Sequence, residues 1–344
     1  MDVVVVGGGQ AGLGTGYWLA RDSSLSFVIL EAAAQVGGSW LDRWDSLTLF
    51  TPRRFSSLPG FRFPAGASGY PTKDEMAVYL QQYVGRFDLP VRLGQGVEAV
   101  RLVDARFESH TREAVIRARH VVVATGPFRG AYVPPAANNV DPGVVQLHSS
   151  RYRNPADIDT DDVVVVGGGN SAAQLACELA PTHRVTVASP GPFQFLPKTI
   201  CGVSLYRWLY LSGVLNASAD SRVARHARAH EAIIGRDLAG LVASGHVRHV
   251  PYRVVGADGD EVVLDDGTRI GTTAILWCTG FRPDYQWLGV PGALDVDGAP
   301  LHTGGASPVP GLHWMGQPWQ TRLNSSLIDG VDRDAEATVW RVTH

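Results

Sequence analysis

Three glycines near the start of the chain have the spacing that binds the diphosphate of a dinucleotide. Gly7, Gly9 and Gly12 fit G-x-G-x-x-G directly after the apolar run Val3–Val6. Their roles are a tight turn, close approach of backbone to the diphosphate, and close packing of a helix, whose first N–H groups face the phosphates. Glu31 follows a second apolar run about twenty residues after Gly12. At that position a carboxylate can accept hydrogen bonds from both hydroxyls of an adenosine ribose. A glycine-rich turn alone fits many α/β proteins, but these features together favour dinucleotide binding.

A second glycine pattern repeats the first in the middle of the chain. Gly167, Gly169 and Ala172 fit the G-x-G-x-x-G/A variant after the valine run of residues 162–166. Two such patterns arise by chance far more rarely than one. The chain is therefore predicted to bind two dinucleotides.

The strand after the second pattern bears on which nucleotide binds there. It ends at Ser189, with neither a carboxylate for a free ribose nor an arginine for a 2′-phosphate. Because a hydroxyl can hydrogen-bond either group, the sequence predicts weak selectivity. The alternative is that Lys198 or Arg207 folds back onto the phosphate.

Two further strand ends indicate how these motifs are positioned. One buried strand runs into Ala124-Thr125-Gly126 and another into Cys278-Thr279-Gly280, as expected where a chain passes beside a cofactor and leaves the domain. The proline-rich stretch Pro127–Pro142 reads as a linker. We predict an α/β fold of two Rossmann-like domains, the second inserted into the first, with residues 1–157 and 275–344 in the first domain and 158–274 in the second.

Several other elements can be placed from local pattern. Thr72 to Phe87 predicts a helix with a capping box from Thr72 to Glu75, and residues 89–123 predict an antiparallel meander returning to the main sheet. The turn Asp265–Gly267 predicts a hairpin. Residues 203–215 predict a core or pocket-lining helix, and residues 322–331 predict the start of a final helix whose positive end faces the cofactor.

Aromatic residues are concentrated in an irregular segment after Glu31. Its Trp40, Trp44, Phe50 and Phe55 fit two interpretations equally, walls around a flat ring system or ordinary core. Long irregular segments in compact proteins are more often functional than idle.

Composition sets limits on the function. The chain has 344 residues, 45% of them apolar and 18% charged, with a net charge of -3, which is typical of a folded globular protein. No nucleic-acid partner is indicated, since the one dense basic run, Arg222 to His230, reads as the solvated face of a helix.

The cysteines and the apolar runs limit the location. Cys177, Cys201 and Cys278 lie far apart, which argues against a disulfide framework, a zinc site or a redox pair, and so no metal is predicted. The first strand leaves no room for a signal peptide after Met1, and no apolar run reaches the length of a membrane span. We therefore expect a cytoplasmic protein.

Four motifs taken together carry a family resemblance over nearly the whole chain. They are GGGQAGL at residues 7–13, GGSW at 37–40, GGGNSA at 167–172 and C-T-G-F-R-P at 278–283. With them the chain resembles the class B flavin-dependent monooxygenases of the small bacterial type. The resemblance implies FAD at the first pattern and NADPH or NADH at the second. It also implies a small organic substrate and O2 as reactants, and it allows a homodimer.

The resemblance implies a reaction and a set of contact residues. Reduced flavin adds O2, and the hydroperoxyflavin gives one oxygen atom to a soft nucleophile in sulfoxidation or N-oxidation, or to a ketone in Baeyer-Villiger oxidation. The implied FAD contacts are Gly7, Gly9, Gln10, Ala11, Gly12, Glu31, Ala32, Gly38, Ser39, Trp40, Leu49, Val97, Ala124, Thr125, Gly126, Ser326 and Leu327. The implied NAD(P)H contacts are Gly167, Gly169, Asn170, Ser171, Ala172, Ser189, Cys278, Thr279 and Gly280.

The catalytic candidates are fewer, because the sequence departs from the family at two places. The asparagine that many members place beside the flavin has no counterpart in residues 49–58, where Thr51 is the nearest polar residue. The family's inter-domain histidine motif is matched only in part at His148, which would then fix the linker. The candidates are Thr51, Asn324, and Arg53 or its neighbour Arg54 as the cation beside the peroxide that ketone oxygenation would need.

Two alternatives need the same cofactor sites. One is an NAD(P)H oxidase or flavin reductase that produces peroxide, and the other is a nucleotide-sensing flavoprotein without turnover. A reductase of the thioredoxin-reductase type is disfavoured, because the chain lacks a cysteine pair.

Overall fold

A computed structural model describes residues 1–64, 69–128, 130–229 and 232–344, and its described part is built on two parallel sheets. The strands are, in chain order, β1 (Val3–Val6), β2 (Phe27–Leu30), β3 (Val91–Arg92), β4 (Ala99–Val103), β5 (Arg106–His110), β6 (Val115–Ala118), β7 (His120–Val123), β8 (Gly130–Ala131), β9 (Val145–His148), β10 (Asp162–Val166), β11 (Arg184–Ala188), β12 (Phe195–Leu196), β13 (Thr199–Ile200), β14 (Val203–Ser204), β15 (Ile233–Ile234), β16 (Val247–Val250), β17 (Val254–Asp258), β18 (Glu261–Leu264), β19 (Arg269–Gly271), β20 (Ala274–Trp277), β21 (Phe281–Arg282), β22 (Leu288–Gly289) and β23 (Leu312–Trp314).

The helices lie between and around these strands. The α-helices are α1 (Gln10–Asp22), α2 (Gly38–Leu41), α3 (Lys73–Phe87), α4 (Asn170–Leu179), α5 (Leu205–Leu211), α6 (Arg222–Ala229), α7 (Asp237–Ala243) and α8 (Val331–Thr343). Short 3₁₀ turns cover Arg53–Phe55, Pro135–Asn139, Pro155–Asp157 and Ile328–Gly330. His230, the last residue of the predicted basic run, lies outside the described residues.

The first sheet has the order β23-β7-β1-β2-β3, and every pair in it is parallel. All four valines of β1 are buried, as expected for a strand covered on both faces. α1 crosses from β1 to β2, so the predicted βαβ unit is confirmed. The predicted meander is also confirmed, since β4, β5 and β6 pair antiparallel before β7 rejoins the main sheet.

The second sheet has the order β16-β11-β10-β20-β9 and is again parallel throughout. Strand β9 belongs to the second sheet, although it lies before residue 158, where the second domain was predicted to begin. Most of strand β20 also belongs to this sheet, although it lies after residue 274, where that domain was predicted to end. Hydrogen bonding between strands distant in sequence decides this membership. The exact domain limits stay a prediction.

Local predictions for the remaining elements hold with two exceptions. The helix predicted over residues 203–215 covers only Leu205–Leu211 and follows the short strand Val203–Ser204. The capping box joins Thr72 to Glu75 at the start of α3, and the predicted hairpin joins β18 to β19. The final helix starts later than predicted, because α8 begins only at Val331. The Ser325 hydroxyl accepts the N–H groups of Thr321 and Arg322, both at 3.0 Å, and such side-chain bonds compete with helix formation.

A buried histidine in β23 makes stability depend on pH. Burial lowers the pKa of His313 from 6.5 to about 4, and the neighbouring charges of His120 and Arg341 act in the same direction. Below pH 6.5 this histidine is protonated in the unfolded chain but stays neutral in the folded chain. The free energy of unfolding therefore falls as the pH drops from about 6.5 to about 4. The full effect is about 3 kcal/mol.

We therefore expect the variant His313→Leu to lose less stability than the parent protein over that pH range. Urea midpoints at a series of pH values measure this. The exposed His246→Leu variant is the control and should keep the parent slope. Parallel pH profiles for the parent and His313→Leu would contradict the assignment.

Candidate functional site

The first glycine loop has room for a ligand at one glycine and none at the other two. Gly7 has a φ of 109°, and a Cβ there would lie 2.6 Å from the carbonyl oxygen of Ala124. A Cβ at Gly12 would lie 1.9 Å from the carbonyl oxygen of Gly7. At Gly9 a Cβ would meet no heavy atom within 4 Å. The protein's own packing demands the outer two glycines, whereas the open space at Gly9 fits a diphosphate against bare backbone.

Glu31 lies at the mouth of this loop with its carboxylate held in place. One carboxylate oxygen accepts the Gly8 N–H at 2.7 Å, and the other accepts the Ala33 N–H at 2.8 Å. A carboxylate has about four lone-pair sites, so both oxygens can still accept a ribose hydroxyl. The loop and this acid together fit the adenosine diphosphate half of FAD.

The other predicted FAD contacts fall into two groups. Gln10, at the start of α1, donates from its side chain to the carbonyl of Ser326 at 3.2 Å, which brings the final loop and its Leu327 to the glycine loop. Ala11, Ala124, Thr125 and Gly126 lie at the same sheet edge. The second group lies beyond β2: Gly38, Ser39 and Trp40 form most of α2, while Ala32, Leu49 and Val97 lie in flanking loops. Whether each contacts FAD stays a prediction.

The second glycine loop repeats the geometry of the first. A Cβ at Gly167 would lie 2.3 Å from the carbonyl oxygen of Cys278, whereas at Gly169 nothing lies within 4 Å. Ser171 and Ala172 continue into α4, whose first residue, Asn170, accepts the Ile234 N–H at 2.9 Å. The strand end returns close by, where Thr279 donates its hydroxyl to the carbonyl of Tyr132.

Ser189 has partners of its own at the end of β11. It is 1% exposed, donates to the Gly191 carbonyl at 2.6 Å and lies 2.8 Å from the His249 ring. Lys198 pairs with Asp237 at 2.7 Å. The nucleotide preference therefore stays a prediction, with Ser189 already hydrogen-bonded.

The structure surrounds the three catalytic candidates with protein partners. Thr51 is buried with its hydroxyl 3.0 Å from that of Ser56. Arg53 donates to both oxygens of Glu75 at 2.6 Å, so its charge is already compensated. Asn324 is buried as well, and the three do not form one cluster of hydrogen bonds. Their catalytic roles stay predictions.

An apolar cavity of about 150 Å³ is lined by segments that are hydrogen-bonded to the starts of both motif helices. Leu323 and Leu327 of the final loop line it, and so does Ile234, whose N–H is bonded to the first residue of α4. The 203–215 segment adds further walls, so its predicted pocket-lining role is confirmed. The lining residues are Phe50, Tyr70, Lys198, Leu205, Tyr206, Leu209, Leu215, Ile234, Leu323 and Leu327.

The aromatic segment divides between the two interpretations given above. Phe50 lines the cavity, and Phe55 packs behind it with its ring 5.1 Å from that of Tyr206. Trp44, in contrast, is buried in the core of the second sheet. Trp314 is fully buried in β23 and serves the core of the first sheet.

A buried polar cluster supports the cavity wall. Tyr206 donates to Asp329 at 2.6 Å, and the Asn324 amide donates to the other oxygen of the same carboxylate at 3.2 Å. Burial raises the pKa of Asp329, although these two hydrogen bonds act against that shift. No motif indicated this carboxylate, because its partners are distant in sequence.

Sequence reasoning also missed an arginine at the junction of the two sheets. The Arg43 guanidinium lies 5.1 Å from the ring centres of both Phe128 and Phe281. These two phenylalanines follow the Thr-Gly ends of strands β7 and β20. His148 lies against Phe281 and hydrogen-bonds the Gly280 carbonyl at 3.0 Å, as expected for a residue that fixes the linker. A lone arginine before a tryptophan carries no local signal for this position.

The three cysteines of the described part of the chain are unpaired, and burial raises the pKa of the Cys177 thiol to about 11. No group of three or more His, Cys, Asp or Glu residues there could hold a metal ion. No described helix combines the length and the apolar character needed to cross a bilayer.

Comparisons with known proteins agree with this geometry. The profile of the pyridine nucleotide-disulphide oxidoreductase family matches residues 4–208. An uncharacterized CzcO-like oxidoreductase of Geobacillus kaustophilus is 40% identical over 98% of this chain and 96% of its own, and the uncharacterized oxidoreductase CzcO of Bacillus subtilis is 36% identical over 98% of each.

Solved structures extend the likeness to the whole fold. A flavin-containing monooxygenase from Stenotrophomonas maltophilia superimposes with a TM-score of 0.84 at 33% identity, over 99% of this chain and 98% of that one. The bacillithiol disulfide reductase of Staphylococcus aureus reaches a TM-score of 0.72 at 19% identity over 99% and 98%, and shares the fold alone. The predicted architecture of two dinucleotide-binding units is confirmed.

Proposed function

The chain belongs to the pyridine nucleotide-disulphide oxidoreductase family, and from that premise we propose that it oxygenates a small soft nucleophile, a thioether before an amine or a ketone. It is a flavin-dependent oxidoreductase that uses FAD and NAD(P)H. Bound FAD supplies the electron transfer and the activation of O2. The three separate thiols suit a reducing compartment, so the proposal includes a cytoplasmic location.

The observation that carries this proposal is the position of the apolar cavity. Its walls come from the final loop beside the first motif and from Ile234 beside the second, so a substrate there would lie where the two cofactors meet. The protein's task at that place is to exclude water and to orient the substrate. Leucine and aromatic side chains perform both tasks without an acid or a base.

The reaction balances without any protein redox group. One NAD(P)H, one proton and one O2 convert a thioether to a sulfoxide and release NAD(P)⁺ and one water. Sulfur loses two electrons and NAD(P)H supplies the other two that O2 needs. A neutral thioether carries its own lone pair, so no described side chain has to remove a proton from it.

The test is the fate of oxygen. Purified FAD-loaded protein is mixed with NADPH or NADH and ¹⁸O₂, together with a thioether, a tertiary amine or a cyclic ketone. We expect one ¹⁸O-labelled product molecule for each NAD(P)H consumed with the thioether. Peroxide equal to NAD(P)H with every substrate would indicate an oxidase instead, and no NAD(P)H consumption would indicate a sensor.

A further inference from the structure

We propose that the apolar cavity takes small carboxylates, whose acid group pairs with Lys198 while their apolar body lies among the leucine and aromatic side chains. This inference rests on the proposed function only in placing the substrate in this cavity. It adds a charge to the substrate that the reaction itself does not require.

Among the described residues, the cavity has one charged lining residue. Nine of its lining residues are leucine, isoleucine, phenylalanine or tyrosine, and the tenth is Lys198. The Tyr206 hydroxyl already donates to Asp329 at 2.6 Å, so it is not a spare donor for a ligand. A ligand that leaves water for this site therefore finds apolar contacts inside the cavity and, among the described residues, one ammonium group at the exposed end of the lysine whose stem lines it. An apolar body with one anionic end matches that arrangement.

The present partner of Lys198 can be exchanged at low cost. Its ammonium lies 2.7 Å from Asp237, and the two side chains are 49% and 72% exposed. Ion pairs at such exposure contribute little to stability, because water and salt screen them. A carboxylate on a ligand can therefore replace Asp237 as the partner, while its apolar part gains burial that Asp237 does not offer.

The size of the cavity limits the apolar body. A cavity of about 150 Å³ is comparable to engineered protein cavities that hold a benzene ring. The lysine stem passes Gly235, where a Cβ would lie 2.8 Å from the lysine Cε, so the stem is held against the chain while its head stays accessible. Short thioether acids combine this size, the charge and the soft nucleophile.

The experiment compares two ligands of nearly equal shape, 3-(methylthio)propanoate and 3-(methylthio)propanamide. Calorimetry with FAD-loaded protein gives their Kd values, and product formation gives KM. We expect the acid to bind the parent about threefold more tightly than the amide, about 0.7 kcal/mol. Lys198→Met should remove that difference, and Asp237→Asn should tighten the acid alone. Arg222→Met, an exposed change on α6, is the matched control and should alter neither.

Each other outcome has a definite meaning. Equal binding of acid and amide to the parent would overturn the proposal. So would a Lys198→Met variant that weakens NADPH binding but leaves the acid unaffected, because the lysine would then serve the 2′-phosphate. Tight, lysine-dependent binding of the acid without any oxygenation would keep the carboxylate site and reject the proposed monooxygenase function.

Discussion

A Gly9→Val variant is expected to fold and yet to purify without its yellow flavin. A Cβ at Gly9 meets no protein atom within 4 Å, and its φ of -79° is open to any residue, so the side chain occupies only the space of the diphosphate. We expect FAD affinity to fall at least a hundredfold, about 2.7 kcal/mol. Flavin absorbance after desalting measures the loss, and circular dichroism checks the fold.

The second loop provides a matched control for this experiment. Gly169→Val makes the same change at the same motif position, again with no protein atom within 4 Å. It should stay yellow but lose NAD(P)H binding. Gly12→Val should instead fail to fold, because its Cβ would lie 1.9 Å from the Gly7 carbonyl oxygen. Full flavin occupancy in Gly9→Val would mean that the diphosphate lies elsewhere.

Leu209→Trp is expected to separate NAD(P)H oxidation from oxygenation. Leu209 lines the apolar cavity from α5, and an indole there takes up space in a cavity of only about 150 Å³. Both glycine loops stay untouched, so flavin reduction should continue. We expect the KM of the oxygenated substrate to rise at least tenfold, about 1.4 kcal/mol, and peroxide to replace most of the product.

The same helix supplies the control. Leu211→Trp introduces the same side chain two residues further along α5, at a position that is 65% exposed and outside the cavity lining. It should keep the parent ratio of product to peroxide. If Leu209→Trp also kept that ratio, the substrate would bind somewhere other than this cavity.

Much of the architecture could be predicted because its causes are local. Three such causes act within a few positions of the chain. They are a valine run that is buried on both faces, a glycine that must adopt a positive φ, and a threonine whose side chain caps a helix by accepting an N–H three residues ahead. Gly7 and Gly167 illustrate this, since their φ values of 109° and 152° are ones that side chains rarely adopt. The late start of α8 was missed because the Ser325 hydroxyl competes for the same backbone groups.

The sequence by itself determined the two dinucleotide loops, Glu31 at the mouth of the first, and the parallel strands that carry them. Only the tertiary structure decided what lies between the loops. The cavity joins Phe50, Leu209 and Leu327 from three distant segments, and no local period encodes such a meeting. The same holds for charge. The charge of Arg53 is compensated by Glu75, whereas the charge of Lys198 is compensated only weakly by the exposed Asp237. Side-chain pairing and solvent screening depend on which surfaces folding brings together.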